Sequence, residues 1–247
     1  MKTPGILIPG AFGLLFSIAV TSCSSGGSSC DMACSAPAKT SATTTAPAAS
    51  PSASAAALTP ASTMTVAGAT PVSLASAFNL VGIVPDDTQF SDSLDGDGFD
   101  CSSNLLHNSY SWKGVPFELG TANKGANVVS CNGQTIALPA GKFSKMEMLA
   151  TAVNGAQASQ TFTITYADAS LNQTKTQSLS DWFQPDSNAG ESATIDMDHR
   201  VQSDGTRDDQ QYYIYGYTFD LNLANTPTSL VLPSNNNVKV FAVTLVP

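Results

Sequence analysis

Charge is what this sequence has least of. Only 12% of its 247 residues are charged, and cations are the scarcer half, with 10 Lys and Arg against 19 Asp and Glu. A chain with a formal charge of −9 and no basic cluster repels a phosphate backbone, which excludes nucleic acid as a partner. Histidine is scarcer still. His107 and His199 stand in no metal-ligand spacing and no CxxC pair occurs, so a zinc site has no foundation. Catalytic signatures are missing too: no GxSxG for a serine nucleophile, no GxxxxGK to cradle phosphates, no GxGxxG for a dinucleotide. Paired carboxylates that cleave glycosides could be drawn from any chain with 19 acids, so their presence carries no information. The chain reads as non-catalytic, with no cofactor required.

Long apolar runs are absent except near the start. Lys2 precedes GILIPGAFGLLFSIAV (5–20), which Gly and Pro interrupt, and the run ends in VTSC (20–23). One positive charge, a short apolar core and small residues describe an export signal, too broken for a spanning helix. VTSC resembles a bacterial lipobox, in which the peptide is cut before Cys23 and the thiol carries a diacylglycerol. An ordinary cleavage site with a chance cysteine is the alternative. Acyl chains at Cys23 would hold the chain on a membrane, and Ser24, where an Asp would favour inner-membrane retention, points to the outer membrane or cell surface.

Residues 24–69 are Ala/Ser/Thr/Pro low complexity with almost no large apolar side chains. Such a stretch cannot bury enough surface to offset its ordering entropy. The expected organisation is a signal peptide over 1–22, a disordered tether over 23–69 and a folded domain over 70–247. With Cys23 committed to lipid, four cysteines remain. Cys101 and Cys131 fall in the folded part, each near an expected strand, and an even remainder in an exported chain suggests a disulfide between them. Cys30 and Cys34 could close a small loop in the tether, though nothing forces it.

What the folded part does have is strands. VPFEL (115–119), NVVSC (127–131), QTIAL (134–138), KMEMLATAV (145–153), QTFTITYA (160–167), QQYYIYGYTFDL (210–221), TSLVLP (228–233) and VKVFAVTLV (238–246) alternate with turn signals such as NG, PAG, SDG and SNNN. Many short strands, and no helical period beyond SLASAF (73–78), predict an all-β fold, a single jelly-roll β-sandwich. In YYIYGYTF, Tyr213, Tyr215, Tyr217, Phe219 and Leu221 share one face, expected to pack on the core; a tyrosine platform for sugars is the alternative.

Two stretches carry candidate chemistry. SLDGDGFDC (93–101) invites a calcium loop, yet counting from Asp95 an EF-hand would need ligands or glycine where Phe99, Asp100 and Leu106 stand. A site built from Asp95, Asp97 and Asp100 outside that motif stays open, beside a plain turn whose acids bond backbone amides. LSDWFQP (179–185) and DHRVQSDGTRDD (198–209) combine Trp182, Asp181 and Arg200. Asp181 and Arg200 read either as an ion pair across neighbouring strands or, with Trp182, as an aromatic and polar patch for carbohydrate. Trp112, in a YSWKG turn, is a second candidate platform, expected to be exposed.

LASAFNLVGIVPD, LDGDGFDCSSNLL, GVPFELG, NVVSCNGQTIAL, LATAVNG, FTITYADAS, SLSDWF, DHRVQSDGTRDDQQYYIYGYTFDL and VFAVTLVP follow one another in an order that resembles the galactose-binding-like jelly rolls of bacterial exported glycosidases. The resemblance covers nearly all of residues 70–247. It implies a β-sandwich that binds carbohydrate, from polysaccharide or cell-envelope glycan. Asp95, Gly96 and Gly98 match that pattern and Asp97 does not. His199-Arg200 stands where the pattern has Tyr-Arg, and Cys101 and Cys131 are local additions. The expected partners are thus a glycan or, where sugar binding has been lost, an envelope protein.

Overall fold

The computed structural model describes residues 65–122 and 125–247. The expected signal peptide, the lipobox with Cys23, Cys30 and Cys34, and most of the tether lie outside the described residues.

Sixteen strands follow in chain order. The first seven are short: β1 (Thr70–Val72), β2 (Ile83–Val84), β3 (Phe99–Ser102), β4 (Ser109–Trp112), β5 (Val115–Glu118), β6 (Val129–Ser130) and β7 (Thr135–Ala137). Longer ones follow: β8 (Lys145–Ala152), β9 (Gln157–Tyr166), β10 (Gln173–Leu179) and β11 (Glu191–Met197). The chain closes with β12 (Arg200–Gln202), β13 (Arg207–Asp208), β14 (Tyr212–Asp220), β15 (Pro227–Val231) and β16 (Val238–Val246). Among the described residues no α-helix occurs, and SLASAF makes a single turn in which the Ala77 and Phe78 amides donate to the Leu74 carbonyl.

One antiparallel sheet runs β1-β16-β8-β14-β11, with β6 also on β16; a second runs β10-β9-β15-β7. They face each other as a β-sandwich. Met146, Met148 and Ala150 of β8 pack with Phe162 and Ile164 of β9, Leu230 of β15, and Val240 and Val243 of β16. The β14 face bearing Tyr215, Tyr217, Phe219 and Leu221 also points into this interior, with Tyr213 packed at its margin.

The first sheet is buried on its other face as well. Leu149 of β8, Tyr212 and Ile214 of β14, and Phe241 and Ala242 of β16 lie under a layer containing Ile83, Cys101, Phe117 and Trp182. That layer combines a sheet β13-β12-β3-β2, the hairpin β4–β5 and the connection between β10 and β11 that carries Trp182. The hairpin turns through Lys113 and Gly114, both at positive φ (51° and 77°), the two-residue turn whose twist suits antiparallel strands. β16 serves both interiors because its register slips between Val240 and Ala242. The extra residue of this bulge puts Phe241 and Ala242 on the same face, after which Val243 and Leu245 return to the sandwich interior.

Two expectations are corrected here. Cys101 and Cys131 are free thiols, both buried. Cys131 sits in the sandwich interior and Cys101 under the outer layer, so the two belong to different interiors of the first sheet. Burial raises both thiols, Cys131 to about 12, which leaves them protonated and inert. Trp112 is not an exposed turn residue either. It ends β4, half-buried, and packs so closely over Gly216 of β14 that a Cβ there would lie 2.7 Å from its ring. The Lys113 ammonium lies 4.1 Å from the centroid of the same ring. The glycine in YYIYGYTF is thus the seat of Trp112, which is committed to packing.

Candidate functional site

Three sequence-distant segments meet beside the outer layer. SLDGDGFDC supplies the first. The Asp95 carboxylate accepts the amides of Asp97 (2.8 Å) and Phe99 (3.2 Å), and Asp100 accepts that of Leu94 (2.6 Å). Gly96 and Gly98 take the positive φ values (81° and 91°) that let the loop fold back on these carboxylates. The acids of the opening loop therefore hold its backbone. Among the described residues no group of three His, Cys, Asp or Glu side chains that could hold a metal ion is found.

Asp100 is the least settled of the three. It is fully buried, and its second oxygen finds no hydrogen-bond partner. Burial pushes its carboxyl up to about 8. Asp95 is raised as well, chiefly by burial, against the pull of its two amides and Arg200.

Arg200 of β12 supplies the second segment. Its Nε donates to Asp208 at 2.9 Å, and one terminal nitrogen reaches Asp95 at 3.5 Å. The guanidinium lies 3.4 Å from the ring centroid of Phe99, 4.7 Å from Tyr212 and 5.2 Å from Trp182. Each such contact is worth about 0.5–2 kcal/mol, so the arginine is held by aromatic faces and two carboxylates together. Burial works against the Asp208 anion. The bonds donated by Tyr212 and Arg200 outweigh it and hold that carboxyl below the ordinary value. The expected ion pair between Asp181 and Arg200 does not form. Arg200 pairs instead with Asp208, directly opposite it in the β12–β13 register.

LSDWFQP supplies the third segment. Asp181 accepts the amides of Phe183 (2.8 Å) and Gly155 (2.7 Å), and its carbonyl accepts the Tyr215 hydroxyl at 2.8 Å. Gly155 belongs to an Asn154–Gly155 turn with both φ positive (58° and 94°), and the Asn154 amide donates to the Asp95 carbonyl at 2.8 Å. The NG turn thus ties the first segment to the third. Trp182 is only 2% exposed, with its ring centroid 5.1 Å from that of Tyr212, so it is no open platform. The neighbouring Phe183, 49% exposed, is the available aromatic face. Its ring rests against Tyr212 at 5.6 Å between centroids.

Together these segments line a depression of about 370 Å³ whose walls include Asp95, Asp97, Asn154, Asp181, Phe183 and Arg200. The structure therefore gathers Asp181, Trp182 and Arg200 as their types suggested, while Trp112 lies elsewhere. Asn154 and Gln210, which also lines the depression, went unnoticed in the sequence, although the NG turn signal marked the first of them.

A second polar cluster lies within the outer layer. His199 Nε2 is 3.1 Å from Asp86, whose other oxygen accepts the Ser102 hydroxyl at 2.5 Å. His199 Nδ1 is 2.6 Å from Asp198 and 2.8 Å from an Arg207 nitrogen. A nucleophilic triad needs its imidazole against the hydroxyl. Here the imidazole and the hydroxyl both address the Asp86 carboxylate, which joins Ser102 of β3 to His199 just ahead of β12.

None of the curated proteins compared with the chain matches it. A sequence model of a structural family does, over residues 68–247, the span of the sandwich and its outer layer. The chain belongs to the AziU2-like beta-sandwich domain family.

Proposed function

We propose that the domain is a non-catalytic carbohydrate-binding module, carried by an exported lipoprotein that Cys23 anchors to the outer membrane or cell surface. The observation that carries this reading is Phe183. Its half-exposed ring stands at a depression whose other walls are amides, carboxylates and a guanidinium, which is the pairing a sugar needs for its C–H face and its hydroxyls. The volume, about 370 Å³, suits a ligand of monosaccharide size. The galactose-binding-like resemblance of the sequence points the same way. Trp112 and Trp182, committed to packing, pass the platform role to Phe183.

Affinity electrophoresis of the intact chain through gels containing neutral and charged polysaccharides tests the reading. Retardation by at least one glycan is expected, with Phe183→Ala weakening it about tenfold and leaving the unfolding midpoint unchanged. No retardation by any glycan, or retardation untouched by Phe183→Ala, overturns it. The commitment of both tryptophans to packing favours one second reading, an envelope-protein-binding lipoprotein. That reading gains if a specific partner is recovered from envelope extracts in the presence of excess sugar. Labelled palmitate incorporated by the wild type and not by Cys23→Ala tests the anchor.

A further inference from the structure

The depression beside Phe183 does not stand alone. A second hollow, of about 300 Å³, is lined by Gly155, Asp181, Phe183 and Asp186 among others. Asp181 and Phe183 line both, so the two polar hollows adjoin at the exposed ring. A single sugar fills one such hollow, and a chain of two or more units can occupy both.

The charge of these hollows is one-sided. Arg200 is their one cation, and Asp95 and Asp208 already neutralise it. Asp97, Asp181 and Asp186 also line the hollows, and none of them forms an ion pair among the described residues. Asp181 is occupied by the amides of Gly155 and Phe183. Asp97 and Asp186 are exposed, and no bond to their carboxylates is found among the described residues. A uronate or phosphorylated glycan would meet uncompensated like charge here, whereas an ammonium would meet attraction from Asp97 in the first hollow or Asp186 in the second, with the ring of Phe183 lining both.

We infer that the cleft takes an amine-bearing, cationic oligosaccharide, two or more units long and reaching into both hollows past Phe183. This rests on the carbohydrate reading above and narrows it to a ligand class.

Calorimetric titration of the full-length chain, at low ionic strength and mildly acidic pH, decides it. The probes are β-1,4-linked glucosamine tetramer, its N-acetylated counterpart, galacturonate tetramer and glucosamine monomer. The glucosamine tetramer should bind about tenfold more tightly than the acetylated one, the monomer more weakly than either, and the galacturonate tetramer not at all. The double variant Asp97→Asn, Asp186→Asn should erase the preference for the amine and leave binding of the acetylated tetramer as it was. Phe183→Ala should weaken both tetramers, which separates the cleft from general attraction to an acidic protein. Equal binding of the two tetramers, binding of galacturonate, a monomer as tight as its tetramer, an amine preference surviving the double variant, or tetramer binding untouched by Phe183→Ala overturns the inference. If a neutral glycan still binds through Phe183, the carbohydrate reading survives that failure; if no glycan binds, both fall.

Discussion

Met148 and Leu149 are neighbours on β8, both fully buried, and they belong to different interiors. Met148 lies between two regular sheets, among side chains that are apolar almost without exception. Leu149 lies under a cover of two-to-four-residue strands and turns, laced with buried polar groups: Asp95, Asp100, Asn127 and His199. Asn127 alone accepts the amides of Gly82 and Ile83 and donates to the carbonyls of Ile83 and Thr121. The sandwich interior is held by area; the outer layer is held by partners. Area tolerates exchange of one apolar side chain for another, whereas a partnered polar group fails when its partner goes. The candidate site grows from the second kind of construction, which can place a guanidinium or a carboxylate where an apolar interior cannot.

The largest expected effect tests that contrast directly. Met148→Ala and Leu149→Ala should each cost about 2–5 kcal/mol, with Met148→Ala at the upper end because two stiff sheets cannot close on the void. Urea unfolding of both variants checks this, and equal losses would mean that the outer layer is as rigid as the sandwich. Next comes Arg200→Ala, which strands Asp95 and Asp208 and empties the space between Phe99, Trp182 and Tyr212. About 2–3 kcal/mol should be lost, with tryptophan emission changed at Trp182, while Arg200→Lys should recover only part because it lacks the planar fork. An Arg200→Ala variant as stable as the parent would show that the outer layer does not depend on its partners.

Asp100 gives the smallest effect and a pH signature. Burial lifts its folded carboxyl from 3.8 to about 8, so the proton it holds stabilises the fold below pH 3.8, and that contribution is lost as pH rises through about 8. Asp100→Asn keeps an oxygen for the Leu94 amide and cannot ionise. Relative to this variant, the parent should lose about 1 kcal/mol for each pH unit climbed through the mildly acidic range below about 8, read from urea midpoints at closely spaced pH values. Parallel pH profiles would show that the lone oxygen of Asp100 is reached by water.

The strands of the sandwich were readable because both of its sheets are built from long apolar or alternating runs. VKVFAVTLV, KMEMLATAV and YYIYGYTF became β16, β8 and β14. The edge strand β10, QTKTQSL, escaped notice because an exposed edge has little apolar signal, and β12 and β13 are too short to show a period. At the site, residue types were informative and pairings were not. The SDG turn at 203–205 already implied a hairpin setting Arg200 against Asp208, a nearer partner than Asp181. Cysteine parity misled for a related reason: an even count says nothing about which face of a sheet each thiol occupies. In LSDWFQP the alternation of strand and turn decides that Trp182 turns inward and Phe183 outward, and no property of the two side chains reveals it.

The double burial of the first sheet has one more consequence. A chain that had closed its sandwich but not its outer layer would present Leu149, Ile214, Phe241 and Ala242 as one bare apolar stripe, an invitation to a second copy in the same condition. The loops that shape the candidate cleft are therefore also the molecule's guard against self-association. Selection for a new ligand must work within that duty, and substitutions that loosen Arg200 or Asn127 should first be visible as lost solubility at high concentration, before any loss of the fold.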